Sequence, residues 1–172
     1  MSPIVSLNRL VRLRRTFARQ GKTVVFTNGA FDILHRGHVE YLTAAKALGD
    51  MLVVGLNTDA SIRRIKGRGR PINENADRAA VLAALRDVDY VCFFGEDTPA
   101  KMIARLVPDV LVKGADWKPA QIVGRDVVEG AGGVVKTIRL TPGRSTTRLI
   151  HRIVRTSRLR RPHSPHRRRL KG

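Results

Sequence analysis

The stretch FTNGAFDILHRGHVEYL, residues 26–42, follows a run of valines and turns through Asn28 and Gly29. It then delivers two of the chain's five histidines, His35 and His38, to the start of an apolar-patterned segment. Buried strand, glycine turn and helix start, in that order, open a β-α-β unit. In such a unit the turn lies at the carboxyl end of the strand, the edge at which ligands bind.

Outward from that stretch the alternation continues. TVVFT, MLVVGLN, YVCFF, DVLVKG and VVKTIRL read as short buried strands. Between and around them LNRLVRLRRTFARQGK, GHVEYLTAAKALGD, DASIRRIK, ADRAAVLAALRDV, TPAKMIARLV, IVGRDVVEGAGG and STTRLIHRIVRT read as helices. Gly21 closes the first helix at the C′ position. Val39, Leu42, Ala45 and Leu48 mark the buried face of the second. Pro99 suits a first helical position and Ser145 an N-cap. Strands alternating with helices imply an α/β fold: one parallel five-stranded sheet, doubly wound, with helices on both faces.

At 172 residues and 42% hydrophobic content the chain fits a single globular domain. It holds no apolar run near the ~20 residues of a membrane span. The N-terminus lacks an apolar signal core, so a cytoplasmic protein without a membrane partner is expected. Cys92, the single cysteine, lies inside YVCFF and reads as a small buried hydrophobe.

The net charge of +19 is concentrated at the ends. Residues 1–22 carry six Lys/Arg and residues 151–172 nine, with no acid in either. The expected organisation is an amphipathic helix over 1–22, a globular domain over 23–154 and a basic disordered tail over 155–172. The tail has no interleaved aromatics and the chain only eight in all, so base stacking is poorly supplied. A basic nucleic-acid-binding protein is therefore the weaker functional class, and any such contact falls to the tail. The apolar stripe Leu7, Leu10, Val11 (or Leu13) and Phe17 needs a partner surface, and a homodimer is expected.

His35 and His38 fall beside a helix N-terminus, whose unsatisfied N–H groups favour anions and phosphates above all. A zinc site would want three or four ligands, and no third lies at ligand spacing. A pair that merely caps the turn and a pair that binds phosphate both remain open. Residues 144–148, RSTTR, combine hydroxyls with another helix start, as a plain N-cap or a second phosphate site. The segment SIRRIKGRGRP brings Arg63, Arg64, Lys66, Arg68 and Arg70, either a solvated face or a lid over phosphates. VKGADW ends a strand, so Lys113, Gly114, Asp116 and Trp117 border the crevice, as ligand contacts or as a structural turn. Asp32 either caps its turn or holds substrate hydroxyls or Mg2+.

TNGAFDILHRGH resembles the signature of the HxGH nucleotidyltransferase superfamily, which includes cytidylyltransferases, pantetheine-phosphate adenylyltransferases and heptose 1-phosphate adenylyltransferases. The likeness runs through LGDMLVVGLNTDAS, KGRGRPIN, ADRAAVLAAL, VKGADW and RSTTRLI, and so covers residues 23–154. It is nearest to the bacterial D-glycero-β-D-manno-heptose 1-phosphate adenylyltransferase domain, with Ala30 for the usual Cys, Ala115 for Gly and Trp117 for Tyr. GADW is also similar to the GDDW of glycerol-3-phosphate cytidylyltransferases, so the base is open between ATP and CTP.

The resemblance implies a Rossmann-like sheet and a reaction in which a substrate phosphate oxygen attacks the α-phosphorus of a nucleoside triphosphate. With ATP and heptose 1-phosphate the products are ADP-heptose, a lipopolysaccharide precursor, and pyrophosphate. The alternative uses CTP and a polyol phosphate. The family's heptose enzymes are often fused to a sugar kinase, for which 172 residues leave no room, so separate enzymes are expected to supply the substrate. Mg2+ is expected to come with the triphosphate, with no protein ligand assigned.

Catalysis would rest on His35, His38 and Lys66, through alignment and charge stabilisation. The nucleotide would lie on Thr27, Asn28, Gly29, Ala30 and Phe31, with Gly37 at the helix start. Lys113, Gly114 and Asp116 would join it from the fourth strand, and Arg144, Ser145, Thr146 and Thr147 from the last helix. Arg148 is a further candidate there. Asp32, Arg70, Arg78, Asp89 and Trp117 would hold the sugar phosphate.

Overall fold

Runs of Val, Leu, Ile and Phe too short for helices pair side by side, because both faces of each must be covered. In the computed structural model, which describes residues 2–159, they form one sheet. The elements run α1 (Leu7–Arg19), β1 (Val24–Gly29), α2 (Arg36–Lys46), β2 (Met51–Asn57), α3 (Asp59–Lys66), α4 (Asn75–Ala83) and β3 (Tyr90–Phe94). They continue with α5 (Ala100–Leu106), β4 (Val110–Gly114), α6 (Arg125–Gly130), β5 (Val134–Ile138) and α7 (Thr146–Leu159).

The strand order is β3-β2-β1-β4-β5 and every pairing is parallel. The chain winds one way from β1 through β3, then returns to β4 on the other side of β1. The order therefore reverses between β1 and β4, which is where a crevice opens at the carboxyl ends of the strands.

Alternate residues of β1 build separate cores. Phe26 faces a layer holding Leu10 and Phe17 of α1, Met102, Ile103 and Leu106 of α5, and Val128 of α6. Val25 faces the other, with Tyr41, Leu42 and Ala45 of α2 and Ala79 and Leu82 of α4. Cys92 is buried and unpaired, as read, and burial pushes its thiol up to about 11.

Three expectations change. The α1 stripe finds its partner within the chain: Leu10 and Phe17 are buried, and Arg14 binds Asp109 at 2.6 Å. Its apolar face is thus unavailable to a second copy. In α2 the covered stripe is Tyr41, Leu42 and Ala45, whereas Val39 and Leu48 are exposed. The helix is rotated because Tyr41 reaches under the sheet edge, its hydroxyl 2.8 Å from that of Thr27. Finally, α7 continues through Leu159, so residues 155–159 of the expected tail are helical. Propagating a formed helix costs little, and Arg and Leu are good helix formers. Residues 160–172 lie outside the described residues.

Two other local signals hold and one shifts by a residue. Gly21 takes the left-handed C′ position at φ 65°, and the side chain of Ser145 accepts the Arg148 N–H at 3.2 Å. Pro99 sits at the N-cap, one place before the first helical residue. Among the described residues no helix is long and apolar enough to cross a membrane.

Candidate active site

At the reversal point lies a cleft of about 570 Å³. Its floor is the end of β1 and the loop to α2, where Asn28, Gly29, Ala30 and Phe31 line it. Phe31 adopts a left-handed φ of 42°, a conformation costly for a bulky residue and concentrated at functional loops. The turn tucks its ring against Gly29, where an added Cβ would lie 3.1 Å from the ring. His38 stands beside that ring, centroids 5.4 Å apart.

His35 occupies the N-cap position of α2 in extended backbone, yet its side chain makes no cap hydrogen bond. The turn-capping reading of the histidines therefore fails. Instead the two imidazoles stack, centroids 3.9 Å apart and 16° from parallel. Both Nδ1 atoms are buried and lack a hydrogen-bond partner, a state proteins keep chiefly where function demands it. Burial, and then the charge of Arg144, lowers the pKa of His35. Burial, then His35 and Lys66, lowers His38 to about 4. Both shifts favour the neutral rings at neutral pH, each keeping one N–H to donate.

Across the cleft, the start of α7 meets the start of α2. A Cβ on Gly37 would lie 3.2 Å from the Arg144 Cβ and equally close to the His35 ring, so glycine is what permits the approach. Thr146 fixes the junction by donating to the carbonyl of Ile33 at 3.2 Å. Arg144, Ser145, Thr146 and Thr147 all line the cleft, whereas Arg148 does not. Two helix N-termini thus converge on one space, and their fields add there.

The third wall is the end of β4. Lys113 is 92% removed from solvent in effect, only 8% exposed, and burial pulls its pKa down to about 8 against the opposing charge of Asp116. Its ammonium donates to the side-chain oxygen of Asn28 and sits 5.6 Å from the Trp117 ring centroid. Gly114, Asp116 and Trp117 border the cleft beside it. From α3 Lys66 reaches the rim, its pKa lowered by burial and by Arg70, with Asp32 opposing.

Several expected contacts lie elsewhere. Thr27 is fully buried beneath the floor, bonded to Tyr41. Asp32 is at the wall, but one oxygen accepts the N–H groups of Ile72 and Asn73 at 2.8 and 2.9 Å, and the other binds Arg70 at 2.8 Å. It is a clasp between two loops that takes most of the carboxylate's acceptor capacity, although Asp32 and Arg70 both line the cleft. That clasp also pins Arg70, and Arg64 is tied to Asp97 at 2.8 Å. The basic segment is therefore anchored at two points, and Arg63 and Arg68 stay outside the cleft lining.

Arg78 is buried to 2% exposure and spends its guanidinium on four protein acceptors. These are the carbonyls of Ala30 (2.6 Å), Asn57 (2.8 Å) and Asn73 (3.1 Å) and a carboxylate oxygen of Asp59 (2.7 Å). Asp89 lies at the opposite, amino edge of the sheet. There it binds Lys46 and accepts the Leu52 N–H, both at 2.6 Å, much as Asp50 and Asp109 cap Thr23 and Val24.

Sequence reasoning missed Tyr41, Asn57, Asp97 and Thr98 as wall residues. Asn57 ends β2, and Asp97 and Thr98 follow β3 closely. The strand-end rule used for β1 and β4 would have reached all three; Tyr41 had only its spacing, three residues after His38.

Among the described residues no group of three or more His, Cys, Asp or Glu could hold a metal ion.

The chain is similar to known proteins in sequence and in fold. Two curated relatives are bifunctional proteins HldE. That of Syntrophotalea carbinolica is 59% identical over 136 residues, covering 79% of this chain and 28% of the relative. That of Geobacter metallireducens is 52% identical over 152 residues, covering 88% and 31%. The chain thus spans less than a third of their length. Among solved structures, the lipopolysaccharide core biosynthesis protein of Thermoplasma volcanium is 32% identical with a TM-score of 0.59, over 70% of this chain and 98% of that one. The pantoate-beta-alanine ligase of Francisella tularensis shares the fold alone, at 14% identity and a TM-score of 0.56, covering 83% of this chain and 69% of that one. The cytidylyltransferase-like family model matches residues 26–152, from the floor of the cleft through the histidine pair to the helix that closes it, and the chain belongs to that family of nucleotidyltransferases.

Proposed function

We propose that the cleft transfers AMP from ATP to D-glycero-β-D-manno-heptose 1-phosphate, giving ADP-heptose and pyrophosphate. The observation that carries this reading is the convergence of two helix N-termini, α2 with its stacked neutral His35 and His38 and α7 with residues 145–147, on a cleft edged by Lys66, Lys113 and Arg144. That arrangement suits a chain of phosphates rather than a single anion. The likeness to HldE proteins and to a lipopolysaccharide core biosynthesis protein supports the sugar and the base.

In the proposed step an oxygen of the sugar phosphate forms a bond to the α-phosphorus of ATP. The bond from that phosphorus to the β-phosphate bridging oxygen breaks, and the electron pair leaves on pyrophosphate. The nucleophile is already an anion, so no base is needed. His35, His38 and Lys66 act on the charge spread over the phosphoryl oxygens; losing one such donor costs about 3–4 kcal/mol of barrier. Asn28–Phe31, Gly37 and the Lys113–Trp117 wall hold the nucleotide and sugar. Mg2+ bound to the triphosphate would supply charge neutralisation from the phosphate side, since among the described residues no group of three or more His, Cys, Asp or Glu is placed to hold it.

Pyrophosphate release measured across ATP and CTP, each with heptose 1-phosphate and glycerol 3-phosphate, tests the proposal. Turnover with ATP and heptose 1-phosphate is expected. Turnover confined to CTP and glycerol 3-phosphate would replace it with the cytidylyltransferase reading that GADW suggests.

A further inference from the structure

Beyond its first turn α7 packs against little of the domain. Leu149 and Ile150 are half-buried at the near end, and Ile153 and Val154, on the same stripe, are 59% and 43% exposed. Arg152 flanks that stripe, and Arg148 and Arg155 lie on the opposite side of the helix. From residue 130 onward the chain carries thirteen Lys/Arg and no Asp or Glu. An apolar stripe on a helix with an arginine-rich polar face is the pattern of an interfacial helix.

We propose that α7 docks on an anionic phospholipid surface, its Ile153–Val154 stripe entering the acyl boundary and its arginines meeting lipid phosphates. Charge complementarity selects this occupant. A second copy of the chain would bring two acid-free, arginine-rich helices together. Among residues 160–172 Leu170 is the one Val, Leu, Ile, Met or Phe, so their composition offers the stripe little apolar surface. A nucleic acid would satisfy the arginines but leave Ile153 and Val154 in water. The proposal concerns a surface contact rather than a span and is independent of the cleft's chemistry.

The test is co-sedimentation of the full chain with vesicles of phosphatidylglycerol and phosphatidylcholine, against phosphatidylcholine alone, with sedimentation velocity of the free protein. Binding to the anionic vesicles only is expected. Removing the flanking arginine by Arg152→Gln should weaken partitioning about fivefold. The double change Ile153→Ser, Val154→Ser should abolish most of it while leaving nucleotidyl transfer intact. Three outcomes overturn the proposal: no binding to anionic vesicles at low salt, binding unaffected by the serine pair, or a dimer in solution that the serine pair dissociates. Unaffected binding would mark a purely electrostatic surface of the kind nucleic acid uses.

Discussion

Arg78 offers the sharpest test, because two accounts of it predict opposite measurements. As a sugar-phosphate ligand, its loss would raise KM and leave folding alone. In the structure it is a knot instead, joining the carbonyls of Ala30, Asn57 and Asn73 and the Asp59 carboxylate. Arg78→Met keeps the apolar bulk and removes all four bonds. It leaves the carboxylate of Asp59, only 16% exposed, with the Asn75 N–H at 3.2 Å but no cation, and takes a donor from three carbonyls at a crowded edge. Breaking a buried charge pair by removing one partner costs about 3–5 kcal/mol. Each stranded carbonyl adds up to ~1–3 kcal/mol, less whatever water can reach, and these losses are not additive. A total near 4 kcal/mol is a large share of the ~5–15 kcal/mol of a typical domain and lowers the melting temperature by about 8–16 °C.

Urea unfolding followed by circular dichroism reads the stability, and turnover on the folded fraction reads the site. Arg78→Lys should recover little, since one ammonium cannot reach four acceptors arranged for a planar fork. Residual activity should be lower in kcat, because the Ala30 carbonyl adjoins the Phe31 turn that seats His38. An Arg78→Met protein within ~1 kcal/mol of wild type, but with a raised KM for sugar phosphate, would refute the structural account.

The histidines predict a pH effect on stability. The folded pKa of His38, about 4, lies below the reference 6.5, so on acidification the unfolded chain takes up the proton first. Stability from the neutral ring is complete above pH 6.5 and declines as pH falls toward 4. The urea midpoint of His38→Gln should vary less over that window; an unchanged slope would count against a buried, neutral His38. Lys113 has the reverse consequence for binding. Its charge is lost above about pH 8, so kcat/KM should fall there, and Lys113→Arg, always charged, should flatten that limb. Gly37→Ala inserts a methyl 3.2 Å from Arg144 and His35, and is expected to reduce turnover at least tenfold while costing about 1–3 kcal/mol of stability. Wild-type turnover would show that the junction has slack.

The sequence alone was enough for the sheet, its helices and the location of the cleft. Their signals are local: valine runs, glycine stops, an apolar stripe, and two imidazoles at a strand end. The stacking and neutrality of His35 and His38 were beyond it, because a pKa sums burial and charges from Arg144 and Lys66, far along the chain.

Charged residues show the same division most clearly. Arg78, Asp32 and Asp89 look alike in sequence to Arg144 and Asp116, all of them ions near recognisable motifs. Which are left facing the cleft and which become struts depends on the loops that converge around each. Arg78 meets Ala30 across 48 positions and Asp32 meets Arg70 across 38. A buried ion must find a partner, and packing alone decides whether that partner belongs to the protein or is left for the substrate.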